Sequence, residues 1–263
     1  MFLNGLLVSG ACIRVPAIGS TGEPNKLKSL ELQHCTLAPG SSRSIGPVAA
    51  QPVQPRLIIE MPDLELIIDS SVVGSLRSNE NASIHISNSI VDARDDEQKD
   101  GKEIAYAGLN SAYGAPLRVE NSTIIGRVAT RIMELASNTI FYAGLKFIAG
   151  DPLPVEAQRL QQGCVRFSYI PPGSRVPGQH HCQPTNDTDA ARVRPVFTSL
   201  KYGEAAYCQL SRNCAVEITQ GADDEAEMGA FHNLYQPQRE TNLRTRLKEY
   251  LKFGLEAGIF YGS

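Results

Sequence analysis

The chain has 263 residues, and its 25 Lys+Arg nearly balance 28 Asp+Glu, for a net charge of −3. That balance excludes a strongly basic nucleic-acid groove and a basic surface for anionic membranes. Hydrophobic residues make up 42%, enough for a sizeable core in one large domain or two small ones, while the absence of Trp excludes Trp sugar-stacking platforms. No apolar run approaches the roughly 18 residues of a membrane-spanning helix.

From the start of the chain, Phe2 to Ile13 is apolar and contains Ser9-Gly10-Ala11-Cys12, loosely like a lipoprotein cleavage site. No Lys or Arg precedes it, and Ser9 stands where such sites prefer Leu. The stretches Leu6–Val8 and Ile13–Val15 read better as strands of a first coil, with no helix before it to cap the open edge.

An eight-residue unit then recurs. It alternates apolar and polar residues, breaks at a small polar pair, and resumes with a short apolar pair. It runs Leu30-Glu31-Leu32-Gln33-His34-Cys35-Thr36-Leu37, then Leu66-Ile67-Ile68-Asp69-Ser70-Ser71-Val72-Val73, then Ile84-His85-Ile86-Ser87-Asn88-Ser89-Ile90-Val91. It returns as Leu117-Arg118-Val119-Glu120-Asn121-Ser122-Thr123-Ile124 and as Met133-Glu134-Leu135-Ala136-Ser137-Asn138-Thr139-Ile140. Equivalent positions fall at 34, 70, 88, 121 and 137, in steps of 36, 18, 33 and 16. Such a period signals one supersecondary unit stacked on copies of itself. Period-two alternation of Val, Ile and Leu makes a half-buried strand. Asn tolerates left-handed backbone and turns the chain sharply. This predicts Ile86, Val119 and Leu135 pointing inward, with Asn88, Asn121 and Ser137 at one stacked corner.

Two insertions leave the repeat: Pro39 to Pro55, rich in Gly, Ser and Pro, and the charge run Arg94 to Gly101, read as a solvated loop close to Tyr106 and Tyr113. Past Asp151-Pro152-Leu153-Pro154 the pattern becomes irregular. Cys164 to Tyr169, Phe197 to Leu200, Tyr207 to Leu210 and Ala215 to Ile218 read as short strands. Pro237 then opens an expected amphipathic helix over 238–252, with Leu243, Leu247 and Leu251 in one stripe. That stripe is expected to cover an open end or side of the body. Leu255, Ile259, Phe260 and Tyr261 follow as a docking tail. The expected organisation is a repeat region over 1–150, irregular Cys-containing coils over 151–220, and a capping or docking helix with its tail over 221–263.

The five units resemble the right-handed parallel β-helix family. The resemblance implies a mainly β solenoid with irregular C-terminal coils and one C-terminal amphipathic helix. A two-layer antiparallel sandwich is the rival architecture. The stretch from Gly221-Ala222-Asp223-Asp224 through Pro237-Gln238-Arg239-Glu240 to Gly254-Leu255-Glu256-Ala257-Gly258 resembles the ends of long bacterial β-helix proteins, some of them found with phage-tail-like machinery. That resemblance implies a structural or adhesive role.

Six cysteines are present, four of them, Cys164, Cys182, Cys208 and Cys214, in the irregular region with His180 and His181. Zinc sites use closely spaced pairs, and the spacings here do not match, so these six residues are weak metal candidates. In an oxidising compartment the pairs Cys164–Cys182 and Cys208–Cys214 are candidate disulfides. Cys12 and Cys35 read as free thiols. The acidic run Asp223-Asp224-Glu225-Glu227 offers oxygen ligands for Ca²⁺ but lacks ligand-loop spacing; a charged turn before a helix is the plainer reading. His85, His180, His181 and His232 show no partner pattern for nucleophilic catalysis, and no Gly-x-Ser-x-Gly elbow or phosphate loop occurs. Asn81, Asn121 and Asn186 head Asn-x-Ser/Thr triplets read as chance matches.

The expected function is a non-enzymatic structural, adhesion or assembly module, part of a larger bacterial or phage-like protein, with no cofactor. Its partner is a protein or a second copy, engaged through an open end or the 238–263 helix and tail. The compartment is left open between the cytoplasm and export within a larger assembly. The alternative is a carbohydrate-active enzyme, a lyase or glycoside hydrolase, using Glu120 and Glu134 stacked on successive coils as a carboxylate pair against a polysaccharide.

Overall fold

The computed structural model describes residues 1–20, 22–39, 55–93, 103–110, 112–143, 152–186, 188–204 and 206–258, with the side chains of 236–240 outside the description. The body of the Pro39–Pro55 insertion, the charge run Arg94–Gly101, and Ile259, Phe260 and Tyr261 of the expected tail lie outside the described residues.

Period-two alternation makes the strands, and the small polar pair turns them. The first coil holds β1 (Phe2–Asn4), β2 (Leu7–Val8) and β3 (Ile13–Val15). The second holds β4 (Ser29–Gln33), β5 (Thr36–Leu37) and β6 (Leu57–Ile59). The third holds β7 (Glu65–Asp69), β8 (Val72–Val73) and β9 (Leu76–Ser78), and the fourth β10 (Ser83–Ser87), β11 (Ile90–Asp92) and β12 (Ile104–Gly108). The fifth holds β13 (Leu117–Glu120), β14 (Thr123–Ile125) and β15 (Arg127–Thr130), and the sixth β16 (Met133–Ser137), β17 (Ile140–Tyr142) and β18 (Val155–Ala157). Two further strands, β19 (Cys164–Arg166) and β20 (Gln179–His180), extend the first sheet alone.

Like strands stack on like. Among the described residues the first sheet has eight strands, and the second and third have six each. Every pairing between these strands is parallel, which excludes the antiparallel sandwich. The chain is a β-solenoid. Past residue 150 the first sheet continues through β19 and β20. After β19 the coil shrinks to single parallel bridges, Ile140 to Tyr169 and Glu156 to Arg175, and Tyr169 then bridges to Gln183.

Inward side chains form ladders along the axis. Leu32, Ile68, Ile86, Val119, Ala136 and Val165 occupy one register position on successive coils, all fully buried. The fifth unit corrects the sequence alignment. The register slips between Leu117 and Arg118: Leu117 pairs with Met133, but Arg118 pairs with Leu135. Glu134 is thus one extra residue in its strand. Leu135 is partly exposed, not inward, and Ala136 takes the core position. The corner residue is Asn138 rather than Ser137.

That corner is marked by backbone. Gly5, His34, Ser70, Asn88, Asn121, Asn138, Phe167 and His181 each follow a first-sheet strand and each have positive φ. Only Gly pays no steric cost there, and Asn pays less than most. Asn121 Nδ2 donates to Asn88 Oδ1 at 3.4 Å, and Asn138 Nδ2 to Asn121 Oδ1 at 3.1 Å. Over the next two coils the amide ladder is replaced by rings: Phe167 and His181 stack at 5.3 Å with planes 6° apart. The opposite corner, between second and third sheets, is tight at Gly126, where φ is 118° and a Cβ would meet the Glu103 carbonyl at 2.7 Å.

The segment after about residue 190 lies along the outer face of the second sheet. Ile140 joins a cluster with Tyr169, Val193, Cys214, Ile218 and Met228, and Ile90 and Ile125 join another with Cys208. Burying each such side chain is worth about 1.5–3 kcal/mol. Polar bonds fix the strap: Tyr207 O–H donates to Asp92 Oδ2 at 2.7 Å, Ala230 N–H to Thr123 Oγ1 at 3.0 Å, and Gly229 N–H to the Asn138 carbonyl at 2.8 Å. The expected strands at 197–200 and 207–210 are single bridges within this strap, Phe197 to Leu210 and Ser199 to Tyr207. The expected strand at 215–218 is a short helix, α1 (Val216–Thr219). Its Ile218 is buried in the strap's own cluster, which a single helical turn achieves without a strand partner.

The final helix, α2 (Gln236–Tyr250), forms close to where its Pro and Leu spacing place it. Its described side chains are mostly exposed. Leu243 is exposed, and Leu247 and Leu251 are half-buried beside Leu255 and Ala257 of the helix's own tail.

Candidate functional site

Three groups of chemistry-bearing side chains need placing. The first lies on the outer face of the first sheet, where outward positions stack in register. Arg118 Nε donates to Glu120 Oε1 at 2.5 Å, and His85 Nε2 lies 3.9 Å from the same oxygen. Glu120 pairs in register with Ser87 on one side and Ser137 on the other. Glu134 is not stacked on Glu120: Glu120 pairs with Ser137, and Glu134 is the unpaired extra residue opposite the Leu117–Arg118 step. The expected carboxylate pair is therefore not brought together. Beside it, Asp69 accepts from Ser87 Oγ at 2.8 Å and from Asn88 Nδ2 at 2.9 Å. Partial burial raises the Asp69 carboxyl, but hydrogen bonds from Asn88, Ser87, Ser70 and Gln33 outweigh it and hold it below the ordinary carboxylate range. These bonds tie coils together and leave Asp69 an anchored acceptor.

The second group is the cysteines and paired histidines. All six thiols are free, so the Cys164–Cys182 and Cys208–Cys214 disulfides are not formed. The reason is placement. Cys182 is buried in the inner ladder, where its Sγ–H meets the Val165 carbonyl at 3.4 Å. Cys164 lies in β19 on the row that carries Leu135. Cys208 is buried against Ile90 and Ile125, while Cys214 belongs to the cluster around Ile140. Burial pushes the Cys182 and Cys214 thiols up, away from the thiolate that a metal needs. His180 and His181 pack on each other at 4.3 Å and on Phe167, as the aromatic end of the corner ladder. Among the described residues these six do not converge on a metal position.

The third group is where the strap meets the corner. Asp223 Oδ1 accepts from Asn138 Nδ2 at 2.7 Å, and the Asp223 N–H donates to Asn138 Oδ1 at 3.1 Å. Asp224 accepts from the Ala226 N–H at 3.0 Å and from the Tyr235 O–H at 2.9 Å. Partial burial raises the Asp224 carboxyl, but those two donors and nearby His232 outweigh it and lower it. His232 is buried, with Nδ1 3.1 Å from the Glu227 carbonyl and Nε2 3.6 Å from Asp224 Oδ2. One ligand atom from each of Asp223, Asp224 and His232 lies within 4.8 Å of the others. Glu227, counted with the acidic run, is instead buried, and burial pushes its carboxyl up to about 7. The acidic run was visible in sequence, but His232 was not assigned to it. Its only sequence signal was proximity, eight residues beyond Asp224.

Comparison with family models, curated proteins and solved structures found no match to the chain. No helix among the described residues is long and apolar enough to cross a membrane.

Proposed function

We propose that this chain is a structural assembly module, a right-handed parallel β-helix that acts through its ends rather than through a reaction. Parallel strands joined by crossovers in one sheet are right-handed in about 98% of cases, which supports that hand. The observation that carries the function is where exposed apolar side chains gather. Met1, Phe2, Leu6 and Leu7 cluster on the first coil, with Leu7 70% exposed. Leu243, Tyr250, Phe253 and Leu255 cluster on the final helix and its tail. On the first coil β1, β2 and β3 are also the outermost strands of their sheets, so three rows of backbone donors and acceptors lie open together. Open edges beside apolar side chains are templates for association.

The reading commits to self-association through the first coil. Sedimentation velocity across a concentration series tests it. Full-length chain should associate as concentration rises, and Phe2→Asp with Leu7→Asp should shift it to monomer. Wild-type chain that stays monomeric throughout, or variants that associate equally, would overturn the reading.

A carbohydrate-active enzyme is the weaker reading. It rests on Glu120 with Arg118 and His85 on the outer face, but lacks the second carboxylate that glycoside hydrolysis pairs with the first. Release of reducing ends from a polysaccharide by wild type but not by Glu120→Gln would restore it.

A further inference from the structure

We propose that Asp223, Asp224 and His232 form a binding site for a divalent transition-metal ion, zinc in the first instance, that clasps the strap to the corner of the solenoid.

His232 supplies the imidazole of this cluster. Its side chain is only 6% exposed, yet Nε2 makes no hydrogen bond. At 3.6 Å, Nε2 is too far from Asp224 Oδ2 to share a proton well. The spacing suits two ligands flanking an ion, because tetrahedral zinc ligands at their normal bond lengths stand about 3.4 Å apart.

The surroundings match what metal ligands need. The position of Nδ1 beside the Glu227 carbonyl favours the tautomer with the proton on Nδ1, leaving the Nε2 lone pair toward the carboxylates. Each carboxylate is itself held, Asp223 by Asn138 and Asp224 by Tyr235 and the Ala226 amide. One imidazole with two carboxylates suits zinc or a neighbouring first-row ion better than Ca²⁺, which takes six to eight oxygens. Three protein ligands leave a fourth position for water.

The site's placement gives it a consequence. Asp223 and Asp224 belong to the strap, and Asn138, which orients Asp223, is a corner residue of the sixth coil. All three ligands lie on the strap, and Asn138 holds Asp223 at the corner, so an ion bound in this geometry stabilises the docked chain by mass action.

The test uses the full chain, stripped with EDTA and returned to buffer with zinc chloride alone. Competition against a chromophoric chelator should give one tight equivalent, and thermal unfolding should move upward with zinc. Asp223→Asn, on an exposed residue, should abolish both effects, as should His232→Gln. Tyr235→Phe removes only an outer partner and should weaken binding by about 10- to 100-fold. His180→Ala with His181→Ala should leave binding unchanged. Zinc binding that survives Asp223→Asn and His232→Gln, or no tight equivalent at all, would overturn the proposal.

Discussion

The amide of Ser89 donates to the hydroxyl of Ser122, one coil further on, at 3.2 Å, and that hydroxyl donates to the Glu120 carbonyl at 2.7 Å. The same pair of bonds recurs along the axis. Cys35 N–H reaches Ser71 Oγ at 2.9 Å, Ser71 N–H reaches Ser89 Oγ at 3.0 Å, and Thr139 N–H reaches Ser168 Oγ at 3.1 Å. Left-handed backbone at the preceding residue turns each amide away from the regular ladder. The hydroxyl of the next coil satisfies it inside the protein, where an unpaired donor is costly.

Ser122→Ala should therefore cost about 1–3 kcal/mol, the penalty for a buried donor left unsatisfied. Urea unfolding followed by far-UV circular dichroism measures it. Ser83→Ala, on an exposed strand residue, serves as the control and should stay within about 0.5 kcal/mol of wild type. Equal effects at the two sites would mean that the hydroxyl ladder contributes nothing.

The register makes a second prediction. Ile86→Ala opens a cavity in the inner stack and should cost about 2–5 kcal/mol. Leu135→Ala removes a partly exposed side chain and should cost far less. Reversed costs would restore the alignment that the slip at Arg118 displaced.

Thiol chemistry gives a third. With six free thiols, dithiothreitol should leave the unfolding midpoint unchanged. Cys12 is exposed, while Cys35, Cys182, Cys208 and Cys214 are buried. A thiol reagent should reach Cys12 in the native protein and the buried four only on unfolding. A midpoint that drops on reduction would reveal a crosslink.

The two C-terminal pieces should behave oppositely. Ending the chain at residue 235 removes α2, whose described side chains are mostly exposed, and should leave the unfolding midpoint in place. Ending it at 190 strips the outer face carrying Ile90, Ile125 and Ile140 and should cause aggregation. A soluble, equally stable chain ending at 190 would show that the strap is dispensable.

Much of this fold was legible because its signal is local. The steps of 36, 18 and 33 match three corner intervals, since the left-handed corner is taken by Ser70, Asn88 and Asn121 in the middle coils, where the repeat is plainest. The last interval was read as 16 rather than 17. Met133-Glu134-Leu135 alternates like a regular strand, and nothing local reveals that Glu134 is the extra residue. The strap was missed because its contacts are distant in sequence. A trace of it was present: Ile90-Val91, Ile124-Ile125 and Ile140-Phe141 are apolar on consecutive residues, so both faces of the second sheet needed cover. The four-residue spacing of Leu243, Leu247 and Leu251 predicted a helix, but a period does not say what a stripe will touch. At the candidate metal site the acidic pair was visible, whereas His232 joins it only through the turn after Met228.

The most direct test of the stacked-coil account is amide hydrogen exchange at Ser71, Ser89 and Thr139. These three amides leave the regular strand ladder and depend on a hydroxyl from the adjacent coil. The account predicts exchange as slow as the core strand amides of Ile86 and Val119, open only through global unfolding. Fast exchange at Ser71, Ser89 and Thr139, matching the exposed amides of α2, would contradict it.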